Sequence, residues 1–149
     1  MNISLPFPDR ITPQMLLDEA RKARERSYAP YSHCRVGAAL LTRSGEIIHG
    51  CNIENAAFSP TVCAERVAIF KAISQGATSG DFVAIAVVGG TGSDTAGTFP
   101  PCGVCRQVLR EFCDPDTFRV VLEPNREDAE PVVLLLSALL PHSFGPDFL

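Results

Sequence analysis

The sequence predicts an α/β fold: a three-layer α/β/α domain built around a mixed sheet of about five strands. Three observations predict it. An apolar run at 36–42, a Ser44-Gly45 turn and a return segment at 46–52 read as a hairpin. Strand-like and helix-period segments then alternate through the rest of the chain. With 149 residues, one domain can bury roughly 68–70% of its unfolded surface and needs no disulfide.

Thr12-Pro13 is an N-cap followed by proline at the first helical position, opening a helix to about residue 27 with Leu16, Ala20 and Ala23 inward. Tyr28-Ala29-Pro30-Tyr31-Ser32 ends it. The run at 36–42 lacks alternation, as expected of a strand covered on both faces. Residues 62–74 read as a helix apolar almost all round, and such a helix is buried. A third strand is expected at 82–88, a Gly- and Thr-rich loop at 89–101 and a helix at 103–113. A fourth strand follows at 119–123 and a short fifth at 132–135. One domain, 1–149, is expected, with an irregular N-terminal segment at 1–11.

The formal net charge is −4, and binding nucleic acid requires a basic patch to neutralise phosphates. The one basic stretch, Arg21, Lys22, Arg24 and Arg26, interleaves with Glu19 and Glu25 on the first helix and reads as a solvated face. The longest apolar stretch, 132–140, is too short to span a bilayer. The N-terminal residues lack the apolar run of an export signal. The expected compartment is therefore cytoplasmic and reducing. There the six cysteines read as metal-binding, catalytic or buried thiols rather than disulfides.

Chemistry concentrates in Cys63-Ala64-Glu65-Arg66 and in Pro101-Cys102-Gly103-Val104-Cys105-Arg106. Three soft thiolates suit zinc, and three protein ligands leave a fourth tetrahedral position open. Cys102 and Cys105 share a face of one helical turn. Cys63 and Glu65 do not, so both approach one ion only at the open end of their helix. The spacing thus puts the site where two helix N-termini converge. Three thiolates on Zn²⁺ carry a net charge of −1. Two helix N-termini, each equivalent to about +0.5 charge, offset it and lower the thiol pKa values. Arg66, on the same face as Cys63, is placed to donate to the thiolates.

Glu65 alone would read as a carboxylate complementing the helix dipole, worth about 0.3–1 kcal/mol. Beside three zinc-suited cysteines on an apolar helix it reads as a proton carrier. A closed structural zinc site stays open on spacing, with Cys34, Cys51, Cys113, His33, His49 or His142 as fourth ligand. A redox CxxC lacks the thioredoxin-like context.

Together these motifs are the three-cysteine form of the zinc nucleobase deaminase signature. The chain resembles the small homotetrameric cytidine deaminases from about residue 12 to its end. Tyr28-Ala29-Pro30-Tyr31-Ser32, Val36-Gly37-Ala38-Ala39-Leu40-Leu41, Gly50-Cys51-Asn52-Ile53-Glu54-Asn55 and Phe144-Gly145-Pro146 carry the likeness beside the two cysteine motifs. The resemblance implies hydrolytic deamination of free cytidine and deoxycytidine at C4 in pyrimidine salvage, with one zinc per subunit. It makes Cys63, Cys102 and Cys105 the zinc ligands and Glu65 the proton shuttle to N3. Asn52 and Glu54 match residues that bind the ribose 3′-hydroxyl, and two residues apart on an extended segment they point to one side. The Glu54 charge opposes a substrate phosphate, so nucleosides are favoured over nucleotides. The backbone at Ala64 is implied to contact the pyrimidine, Phe58 to stand near the pocket, and Phe144 to enter a neighbouring subunit's site.

One departure stands out. The family's usual phenylalanine after Tyr-Ser, which stacks on the pyrimidine, is Cys34 here. Such a contact is worth about 0.5–1.5 kcal/mol beyond area burial, so the expectation is a roomier pocket or weaker binding. Cys34 itself reads as a small apolar filler. Two rival readings remain: a non-catalytic zinc-stabilised binding domain, and a deaminase of a related nucleoside analogue.

Overall fold

The structure, a computed structural model, describes residues 7, 8 and 10–149. The expectation of an irregular segment at 1–11 falls largely outside them. Helix α1 (Pro13–Arg24) begins as expected: Thr12 is extended, and its hydroxyl accepts from the Met15 amide at 3.2 Å. It stops earlier than the sequence reading, with Glu25 as its C-cap.

Strands β1 (Cys34–Thr42) and β2 (Ile47–Cys51) form the expected hairpin. Helix α2 (Ala64–Ser74), strand β3 (Phe82–Thr91), helix α3 (Gly103–Phe112), and strands β4 (Arg119–Leu122) and β5 (Val132–Leu135) follow. A one-turn helix α4 (Leu136–Leu139) and a 3₁₀ turn (Pro146–Phe148) complete the chain. The sheet order is β2-β1-β3-β4-β5. Only β3 and β4 are parallel; β1 runs antiparallel to both its neighbours, and β5 runs antiparallel to β4. The mixed five-stranded sheet is as predicted.

Alternation along the strands sends side chains to two covered faces. Ala39, Leu41, Ala84, Ala86 and Val88 pack with Leu16, Leu17 and Ala20 of α1. Ala38, Leu40, Ile85, Val87 and Val120 pack with α2 and α3 through Ala68, Ile69 and Leu109. Each such Leu or Ile contributes about 1.5–3 kcal/mol by leaving water. The helices come very close to the sheet at two glycines. A methyl group on Gly37 would stand 2.0 Å from the Ala20 carbonyl oxygen, and one on Gly50 would stand 2.2 Å from that of Ala64.

Three expectations need correcting. Strand β3 continues through Gly89 and Gly90, which the sequence reading assigned to a loop. Helix α2 is not buried all round in the single chain, since Phe70 is 46% exposed. Arg24 is no part of a solvated face. It is buried and donates to the carbonyls of Arg35, Gly90, Gly92, Ser93 and Asp94, whose oxygens satisfy its guanidinium in place of water. No helix among the described residues is long and apolar enough to cross a membrane.

Candidate active site

Cys63 is the N-cap of α2 and Cys102 the N-cap of α3. Their sulfurs lie 3.9 Å apart, so the two helix N-termini do converge. Cys105, one turn into α3, completes a set whose three sulfurs all lie within 4.8 Å of one another. A zinc ion bonded to sulfur at about 2.3 Å in tetrahedral geometry separates its sulfurs by roughly 3.8 Å. The triad is thus positioned to hold a metal ion. Among the described residues no fourth His, Cys, Asp or Glu joins it, so Cys34, Cys51, Cys113, His33, His49 and His142 do not close the set.

The electrostatics follow from burial and from Arg66. Arg66 donates to the Cys63 sulfur at 3.4 Å. The Cys63 thiol is held down to about 5, chiefly by the Cys105 thiol hydrogen-bonding to it, with Arg66 reinforcing the effect against burial. Cys105 is pushed up by the same hydrogen bond and by its own burial. Glu65 is 4% exposed. Burial raises its carboxyl to about 7, and its own amide only partly offsets that. A carboxyl near neutrality can both take up and release a proton at physiological pH.

Beside these groups opens a cleft of about 660 Å³ with largely apolar walls, lined by Cys63, Glu65 and Cys102 together with Asn52, Glu54, Cys34 and Phe58. Asn52 is locked to β1: its side-chain oxygen accepts from the Val36 amide and its NH₂ donates to the Cys34 carbonyl, each at 2.8 Å. Glu54 accepts from the Ser32 hydroxyl at 2.7 Å. Its backbone amide donates to the Tyr28 carbonyl, which holds the 28–32 segment against the site. Phe58 is 76% exposed at the rim.

Two further positions were expected to act through the Ala64 backbone and in a neighbouring subunit's cleft, and their side chains do not line this cleft. Ala64 is fully buried and its side chain is not part of the cleft wall. Phe144 is exposed, stacks on Phe148 with ring centroids 5.4 Å apart, and does not line this chain's own cleft. The sequence reading missed Phe99, which lines the cleft three residues before Cys102. It also missed Arg106, which donates to the Pro101 and Leu139 carbonyls at 2.7 Å each and so fixes the segment entering α3. The position of Phe99 beside the proline-cysteine motif was the available signal.

A three-thiol set with an open side, a buried carboxyl beside it and a mostly apolar cleft define a zinc-dependent hydrolytic enzyme on this α/β scaffold. Comparison with known proteins makes the class specific. Residues 11–121 match the family described as the cytidine and deoxycytidylate deaminase zinc-binding region, and the chain belongs to that family. The cytidine deaminase of Sporosarcina psychrophila is 48% identical over 134 residues, covering 90% of this chain and 92% of the relative. That of Halalkalibacterium halodurans is 50% identical over 131 residues, covering 88% and 92%. The crystal structure of cytidine deaminase from Burkholderia pseudomallei superposes with a TM-score of 0.80 at 46% identity, covering 90% of this chain and all of that one.

Proposed function

We propose that this protein hydrolyses the C4 amino group of free cytidine and deoxycytidine, giving uridine or deoxyuridine and ammonia. The observation that carries this reading is the buried Glu65 beside an open three-thiol set at the end of the cleft. In this reading Cys63, Cys102 and Cys105 hold one zinc per subunit. Zinc bound there is a Lewis acid that lowers the pKa of water to about 7.

Glu65 would take a proton from the attacking water and deliver it to N3 of the cytosine ring as the water oxygen bonds to C4. It would then pass the remaining hydroxyl proton to the amino nitrogen as the C4–N bond breaks, so that one water is consumed and one ammonia released. Its carboxyl, buried beside the three thiols and lining the cleft, is placed for both transfers. Arg66 offsets the thiolate charge through Cys63. Asn52 and Glu54 hold the ribose 3′-hydroxyl, and the Glu54 charge disfavours nucleotides. The Ala64 backbone contacts the pyrimidine, with Cys34 and Phe58 in the surrounding wall. Phe144 completes the cleft of a neighbouring subunit in a homotetramer. Its exposed ring and the exposed Phe70 and Val104 support that assembly. A cytoplasmic setting, a single domain, a nucleoside substrate and no nucleic-acid or membrane partner complete the reading.

Ultraviolet absorbance follows conversion of cytidine to uridine by the purified protein before chelation, after it, and after zinc is restored. Turnover that vanishes with the metal and returns with it supports the reading. Turnover indifferent to the chelator, or none in the zinc-loaded protein, contradicts it.

A further inference from the structure

The geometry points to Phe99 as a specificity-determining residue: its ring is the aromatic wall against which the pyrimidine stacks. The inference rests on the nucleoside reading of the cleft. Three aromatic residues line that cleft, Tyr31, Phe58 and Phe99. Tyr31 is 50% exposed and Phe58 76%, so neither is held by packing in one orientation. Phe99 is half-buried against the sheet core.

Its ring lies directly on Gly89. A methyl group there would come within 2.6 Å of the Phe99 Cδ1 atom. Gly89 stands opposite Val36 in the β1–β3 register, and Cys34 is opposite Thr91. Residues two apart on a strand share a face, so Val36, Cys34 and the bare surface of Gly89 form one small-residue shelf. Phe99 occupies that shelf, and Phe99, Val36 and Cys34 all line the cleft.

The backbone leading to the ring is clamped. Thr98 donates through its hydroxyl to the Glu123 carbonyl at 2.8 Å and through its amide to the Asn125 side chain at 3.0 Å. Upstream, Arg24 gathers the carbonyls of Gly90, Gly92, Ser93 and Asp94. Three residues of chain span at most roughly 11 Å, so the Phe99 backbone cannot be far from Cys102, at the end of the cleft where C4 must be brought. A rigid aromatic face at that position binds a planar base.

The test uses the zinc-loaded protein with Phe99→Leu, its zinc content and melting curve serving as fold controls. A lost stack raises the KM for cytidine and the Ki of the product uridine together, by roughly two- to tenfold, with a smaller effect on kcat. The Ki of 5,6-dihydrouridine, whose base is neither planar nor aromatic, rises much less. Gly89→Ala, which pushes the ring off its seat without removing it, gives the same pattern. KM and Ki values unmoved in Phe99→Leu, or equal losses for uridine and dihydrouridine, overturn the inference. Wild-type protein that holds zinc but leaves cytidine unchanged overturns the nucleoside reading itself, and is seen before any variant is made.

Discussion

Arg66 donates to the Cys63 sulfur at 3.4 Å from one turn further along α2. A cation is thereby held against a metal-ligand thiol on a helix whose outer face carries Phe70 and whose inner face is core. The pair links local helix geometry to the charge balance of the site, and the first prediction follows from it.

Arg66→Gln leaves the three thiols in place and removes the charge facing them. Partners of metal ligands typically carry 10–100-fold in affinity or activity, on the order of 1–3 kcal/mol. Competition against a chromophoric chelator should show zinc affinity falling by roughly that factor. Unchanged affinity would mean that the helix N-termini alone balance the thiolates.

The Cys34→Phe change should have opposite effects in two backgrounds. Cys34 alone was expected to leave a roomier pocket, but the Phe99 ring already lies on Gly89 beside it, so in the wild type the new ring crowds that space and the KM for cytidine rises. With Phe99→Leu in place it supplies an aromatic face instead, and KM falls relative to the single Leu variant. The sign reversal is a coupling between neighbours that share one space; additive effects of the two substitutions would refute it.

Gly50→Ala tests how tightly β2 carries α2. The added methyl would meet the Ala64 carbonyl oxygen at 2.2 Å and the Ala68 amide at 2.6 Å, both backbone atoms that cannot rotate away. Overpacking of this kind typically costs about 1–3 kcal/mol, read as a lower urea midpoint. Because Cys63 and Glu65 sit at the first turn of that helix, turnover should fall as well. Stability and turnover both at wild-type levels would show that the helix yields freely.

Arg24→Met removes a buried guanidinium that five carbonyl oxygens share. Leaving such acceptors without a donor costs about 1–3 kcal/mol for each one that water cannot reach. Urea denaturation should show a loss of at least about 2 kcal/mol, and hydrogen exchange at 90–98 should accelerate. Exchange in that loop unchanged from wild type would contradict the role given to Arg24.

Much of this fold was legible because its signals are local. Thr12-Pro13 marks the start of α1, the Ser44-Gly45 turn marks the hairpin, and the unbroken apolar run marks β1 as covered on both faces. The cysteine spacing predicted a site between two helix N-termini, and Cys63 and Cys102 are indeed the two caps. What was missed depends on distant partners. Gly89 and Gly90 look like loop residues until Phe99 is seen on the first and the Asp94–Ala96 backbone against the second. Arg24 looks like one more charge on a helix surface, because nothing near it in the chain announces the carbonyls it will meet. The apolar wrap of α2 was read as burial within one chain, yet Phe70 emerges at its surface.

Glu65 is assigned to move protons beside a zinc ion held by three cysteines and no fourth side chain. Glu65→Gln tests this assignment most directly, with zinc content and cytidine turnover measured on the same preparation. The variant should hold about one zinc per chain, as in the wild type, with a kcat lowered by roughly 10²–10⁴-fold, the usual worth of a positioned acid–base group. Turnover within a few fold of wild type, or a variant that has lost its zinc, would contradict it.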